Sequence, residues 1–129
     1  AGCGSVHPVQ PAITIERVDQ HPFLVDHGRE LVISEQGRVS ARQRLYPEPG
    51  SGVLTHYVQT EDAIVFIDCN GVWYEYRSGA IRDLGWRWMA PLPPGHVMRI
   101  QRGADGAYHM HPVATPRLDE IYTFKDPPP

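Results

Sequence analysis

The chain has 129 residues, 41% hydrophobic and 21% charged, which is enough for one modest core and too little for two. Its net charge of −3 argues against nucleic acid, which needs a basic face to neutralise phosphates. No run approaches the ~18 consecutive apolar residues of a membrane-spanning helix, and thirteen prolines with twelve glycines disfavour long helices.

In chain order, residues 1–11 read as an extended tether, with two prolines in Val6 to Ala12 and no periodic pattern. Ala12 to Val18 opens the folded part, and Phe23 to Val25 is a short apolar run. Glu30 to Ser34 and Arg38 to Leu45 form a hairpin about Glu35-Gln36-Gly37. Pro47 to Gly52 reads as a loop, and Val53 to Thr60 as the next strand. Ala63 to Cys69, Val72 to Arg77 and Ala80 to Met89 form a meander turned at Asn70-Gly71 and Ser78-Gly79. Pro91 to Gly95 breaks the pattern. His96 to Gln101 and Tyr108 to Val113 form a last hairpin, Ile121 to Phe124 is a closing strand, and the alternative is one helical turn over Asp119 to Phe124. Residues 125–129 are a Pro-rich tail. Turns about every ten residues predict an all-β fold over 12–124. The expectation is a single small antiparallel sandwich or partly open barrel of about eight to ten short strands.

The Asn70-Gly71 pair predicts a two-residue type I′ turn, exposed at the hairpin tip. That turn pairs Cys69 with Val72, Ile67 with Tyr74 and Val65 with Tyr76. One core face then carries Val65, Ile67, Cys69, Val72, Tyr74 and Tyr76. The other, amphipathic face carries Ile64, Phe66, Asp68, Trp73, Glu75 and Arg77.

Chemistry is sparse. No nucleophile elbow, zincin, P-loop or paired C-x-x-C motif is present, which points away from an enzyme. Asp68 and Glu75 lie diagonally on that second face beside Trp73, and two carboxylates at an aromatic ring could work on a sugar; the alternative is a solvated face with Arg77 balancing Glu75. Seven histidines would move the net charge from −3 to +4 if all were protonated. With an even-length loop in the last hairpin, His96, Met98, His109 and His111 fall on one face. Imidazole with thioether suits cuprous copper, so copper is the alternative to having no cofactor. Trp86 and Trp88 share a strand face beside the Pro-rich loop. Together with Arg77, Ser78, Gly79 and Pro93 they are candidates for contact with another protein, since Trp and Arg dominate such sites.

The start Ala1-Gly2-Cys3 resembles the end of a bacterial lipobox, which implies an envelope lipoprotein with a lipid on Cys3. The alternative is a disulfide between Cys3 and Cys69, which also implies the periplasm or cell envelope. Small all-β envelope lipoproteins include periplasmic lysozyme inhibitors and immunity proteins against secreted toxins. Ser78-Gly79-Ala80 resembles the Ser-Gly loop that such inhibitors insert into their target. The paired cysteines and following tyrosine of those inhibitors have no counterpart here, so the resemblance is to the class. It implies a binding protein that covers the active site of a secreted hydrolase or toxin, or a subunit of an envelope complex.

Overall fold

A computed structural model describes residues 10–18, 27–48 and 53–129. Cys3, the Phe23 to Val25 run and most of the Pro47 to Gly52 loop lie outside or at the edge of them. Nine strands and one helical turn are formed among the described residues. They are β1 (Ala12–Val18), β2 (His27–Glu35), β3 (Arg38–Glu48), β4 (Thr55–Gln59), β5 (Ile64–Asp68), β6 (Val72–Arg77), β7 (Ala80–Trp86), β8 (His96–Arg102), β9 (Tyr108–Pro112) and α1 (Leu118–Ile121). The fold is an open, all-β sandwich. A three-stranded sheet, β1-β2-β3, faces a six-stranded sheet of order β7-β6-β5-β4-β8-β9, and every pairing is antiparallel.

The core between the sheets holds Ile15, Leu31, Ile33 and Leu45 from one side. Tyr57, Ile64, Phe66, Val72, Tyr74, Tyr76 and Ile100 come from the other. A second core lies on the opposite face of the six-stranded sheet. There Val58, Val65, Ile67, Trp73 and Val97 are covered by Ile121 and Tyr122, with Leu84, Trp88, Ala90, Leu92, Val113 and Leu118 packed around them. The expected closing strand at Ile121 to Phe124 is not formed. The chain makes the single turn α1, and Thr123 and Phe124 then donate their N–H groups to the Cys69 carbonyl. The C-terminal segment is thus a lid on the sheet, not a strand in it.

The central hairpin departs from the expected register by one residue. Ile67 pairs with Trp73, Phe66 with Tyr74 and Ile64 with Tyr76. Gly71 alone in this turn is left-handed, at φ 96°, and its N–H donates to the Asp68 carbonyl at 3.0 Å. This is a turn followed by a glycine bulge, one residue longer than a type I′ turn. A one-residue slip exchanges the two faces. Val65 and Ile67 therefore point into the second core, while Tyr74 and Tyr76 point between the sheets. The turn is also buried, with Asn70 only 7% exposed. The paired positive φ of a type I′ turn occurs instead at Gln36-Gly37 and Ser78-Gly79.

Where Pro47 was expected to begin a loop, β3 runs on to Glu48. β3 is an edge strand, where a missing N–H is tolerated. This extension carries the Tyr46 backbone to a buried ion pair. The Arg29 guanidinium donates to Asp68 Oδ1 at 2.9 Å, to Thr55 Oγ1 at 2.8 Å and to the Tyr46 carbonyl at 2.8 Å. Asp68 also accepts from Thr55 Oγ1, the Cys69 N–H and the Tyr46 N–H. Arg29, Thr55 and Asp68 are all essentially inaccessible to water. Removing one partner leaves the other charge buried and unpaired, which typically costs ~3–5 kcal/mol. Asp68→Ala should accordingly lower the unfolding free energy by about 3–5 kcal/mol in urea denaturation. A loss below about 1 kcal/mol would show that the pair does not hold the sheets together.

His56 is buried on the face of the second core. Burial, reinforced by the Arg99 charge, pushes its pKa down from 6.5 to about 4. Protonation therefore favours the unfolded chain. The native state carries no penalty from His56 above pH 6.5, and the penalty grows as pH falls from 6.5 to about 4. At its limit it reaches roughly 3 kcal/mol. His56→Leu should flatten the fall in stability across this window, and an unchanged pH profile of urea midpoints would contradict this assignment.

Candidate functional site

The β6–β7 hairpin ends near Gly71, where the chain leaves the sheet through Trp86 to Ala90. The Arg87 N–H donates to the Gly71 carbonyl at 2.7 Å. Trp86 Nε1 donates to the Asn70 carbonyl at 2.6 Å. A Cβ on Gly71 would lie 2.9 Å from Trp86 Nε1 and 3.0 Å from the Trp88 ring, so only glycine leaves room for both rings. The Trp86 and Trp88 rings stack with centroids 6.3 Å apart and 24° between their planes. Trp88 in turn tilts against Tyr122 at 5.5 Å. Tyr122 Oη accepts from Trp73 Nε1 and donates to the Ala90 carbonyl. Trp86 is thus exposed on a platform fastened to the second core.

Met89 completes this surface. The Ala90 N–H donates to the Arg87 carbonyl at 3.1 Å, closing a four-residue turn. Met89 is its third residue, at φ 63°, a position where type II turns favour glycine. Left-handed backbone costs a non-glycine residue ~1–2 kcal/mol. Met89 is nevertheless exposed, at 41%, three residues after Trp86 at 37%. Arg87, also exposed, holds its guanidinium 5.3 Å from the Trp73 ring centre. Strained backbone clusters at functional sites, so a strained turn that presents an apolar side chain to water marks a candidate surface. Trp86 and Trp88 stand out in the sequence as candidates and Met89 does not, because its turn conformation has no sequence signal without a glycine or asparagine.

The other expected contact residues sit elsewhere. Ala80 pairs with Arg77 and Trp86 with Val72, so the Ser78-Gly79 turn lies one strand length away, about 20 Å. Arg77 there is paired with Asp62 at 2.9 Å. Near the same end, Gly95 is pressed onto the Gln59 carbonyl, and a Cβ would run into that oxygen. A cleft of about 720 Å³ opens there, lined by Gln59 to Asp62 and Pro94 to His96. Pro93 is half-buried beside it in sequence. The candidate residues therefore divide between two ends of the sandwich.

The copper constellation does not assemble. The β8–β9 loop spans five residues, so Met98 pairs with Pro112, Arg99 with His111 and Gln101 with His109. Odd loop length places His109 and His111 on the face opposite Met98 and His96. His109 is engaged with Asp105 at 3.0 Å. The carboxylate pair is likewise split. Asp68 lies on the inter-sheet face with Phe66, while Glu75 pairs with Val65 on the other face and bonds to Arg77 and Arg82. Among the described residues Cys69 is buried without a disulfide partner, and burial with the neighbouring Asp68 pushes its thiol pKa up, which makes it a poor nucleophile. Its expected partner, Cys3, lies outside the described residues. No helix among the described residues is long and apolar enough to cross a membrane.

Gly71→Ala should force the Trp86 and Trp88 rings apart. The expected readout is a shift in tryptophan emission with a loss of about 1–3 kcal/mol in stability. Unchanged emission would show that the stacked platform does not depend on Gly71. Comparison with known proteins finds no matching family model, curated protein or solved structure.

Proposed function

We propose that this chain is a non-catalytic binding protein of the bacterial envelope that acts by covering another protein. Its binding face would be the surface formed by Trp86, Arg87, Trp88 and Met89. The carrying observation is the exposed Met89, held in left-handed backbone three residues after exposed Trp86. Tryptophan, arginine and methionine are enriched at the centres of protein interfaces. Rigid anchors lose little entropy on docking, and Trp86 is held by both stacking and its bond to Asn70.

An inhibitor or immunity protein for a secreted hydrolase or toxin fits this arrangement. The chain supplies an anchor, and the partner supplies a pocket. The buried carboxylate of Asp68 is consumed by Arg29, Thr55 and backbone N–H groups, which supports a role without catalysis.

Immobilised protein should capture a specific partner from envelope extract and lower that partner's enzymatic or toxic activity on titration. A Trp86→Ala/Met89→Ala variant should lose at least about tenfold in affinity, since hot-spot truncations cost ~2 kcal/mol or more. Arg82→Ala, on the exposed part of β7, should bind normally. Equal binding by the double variant and the native chain would remove this face from the function.

A further inference from the structure

A second feature lies on the face of the second core, away from the Trp86 platform. His56, Arg99 and His111 are successive cross-strand partners on β4, β8 and β9. Antiparallel partners share a face, so the three side chains form one basic row across the sheet. Val58 and Val97, paired two residues further along, place that row on the face of the second core.

The row contains polar atoms that lack partners. His56 is 1% exposed, and its Nδ1 is buried without a hydrogen bond. Arg99 is half-buried, and its Nε is also buried without one. Glu48 Oε1 is the third such atom among the described residues, but Arg102 Nη2 stands 3.1 Å from Glu48 Oε1. Thus, of these three atoms, only the two nitrogens of the row lack an opposite charge beside them. Buried polar groups are nearly always paired, so each exception calls for a physical reason. The carboxylates of the helical turn in the covering segment do not supply the missing charge. Asp119 and Glu120 are exposed and paired with Arg117.

We propose that His56, Arg99 and His111 form an oxyanion site that takes a phosphoryl group. A guanidinium presents Nε and an Nη as a fork that matches two oxygens of such a group. Arg99 is central in the row, with a buried imidazole on one side and an exposed imidazole on the other. Exposed His111 marks the open end through which the anion enters. One guanidinium with an imidazole on either side, and no carboxylate in the row, offers N–H groups to more oxygens than a single carboxylate presents, which suits a phosphoryl group. This site is separate from the Trp86–Met89 face and does not rest on the binding role proposed for that face.

The test is calorimetric titration of the full chain with inorganic phosphate, at ionic strength held constant with sodium chloride. Saturable binding is expected. It should weaken at least about tenfold in Arg99→Gln and about threefold in His111→Ala, through loss of charge-assisted hydrogen bonds. Arg44→Gln, on the outer face of the three-stranded sheet, should leave it unchanged. His111 is exposed, so its variant keeps the test decisive if Arg99→Gln fails to fold. Glycerol 3-phosphate distinguishes the source. Tighter binding of the ester assigns the phosphoryl group to an organic carrier, and equal binding assigns the site to the free ion. No wild-type binding up to about 10 mM phosphate, which is weaker than ordinary millimolar recognition, would overturn the proposal. So would unchanged binding in His111→Ala together with any folded Arg99 variant.

Discussion

The buried pair of Arg29 and Asp68 is the interaction on which the sandwich depends. Arg29 lies on β2 and reaches across to Thr55 on β4 and Asp68 on β5, while its Nε holds the Tyr46 carbonyl on β3. A charge at the centre of a sandwich is tolerated only when each of its hydrogen-bonding groups is met. Meeting them fixes how the two sheets sit on each other. An apolar interface alone would accept several offsets of similar energy, whereas a network of charge-assisted bonds accepts one. The extension of β3 through Pro47 follows from this, because Tyr46 must deliver both its N–H to Asp68 and its carbonyl to Arg29.

Once Asp68 faces the interval between the sheets, the rest of β5 is determined. Ile64 and Phe66 face the same way, and Val65 and Ile67 face the other. Every residue of β5 is buried, so the outer side of the six-stranded sheet needs a cover. The segment after β7 and the C-terminal segment supply it, meeting around Trp73, Trp88 and Tyr122. The exposed Trp86 and Met89 are the edge of this cover. Their presentation to solvent is therefore a product of how the second core closes, with Gly71 leaving the space beneath the rings.

The same covered face accounts for the state of the histidines. His56 alternates with Tyr57 along β4, and the inward direction of Tyr57 sends His56 beneath the cover. Burial beside Arg99 keeps it neutral at physiological pH. His109 and His111, on an edge strand with little over it, stay exposed. His56 on β4 and the two histidines of edge strand β9 thus differ in environment because of sheet position, not sequence context.

The sequence by itself determined the fold class and most of the strands. Period-two alternation and closely spaced turn residues are local signals, and local chemistry sets them. Glycines at Gly37 and Gly79 mark places where the chain does turn, although the paired positive φ extends to Gln36 and Ser78, which the residue types do not signal. The sequence could not decide the Asn70-Gly71 register. Its two hydrophobic faces are nearly equivalent, so alternation does not say which faces which core. The buried charge at Asp68 and the rings packed on Gly71 decided it. Nor could it decide the His/Met constellation, where one residue of loop length separates Met98 from His109 and His111. Trp86 and Trp88 were legible as candidates because aromatic residues beside a proline-rich break are rare. Met89 and the His56–Arg99–His111 row were not, because turn conformation and cross-strand neighbours exist only after the strands have paired.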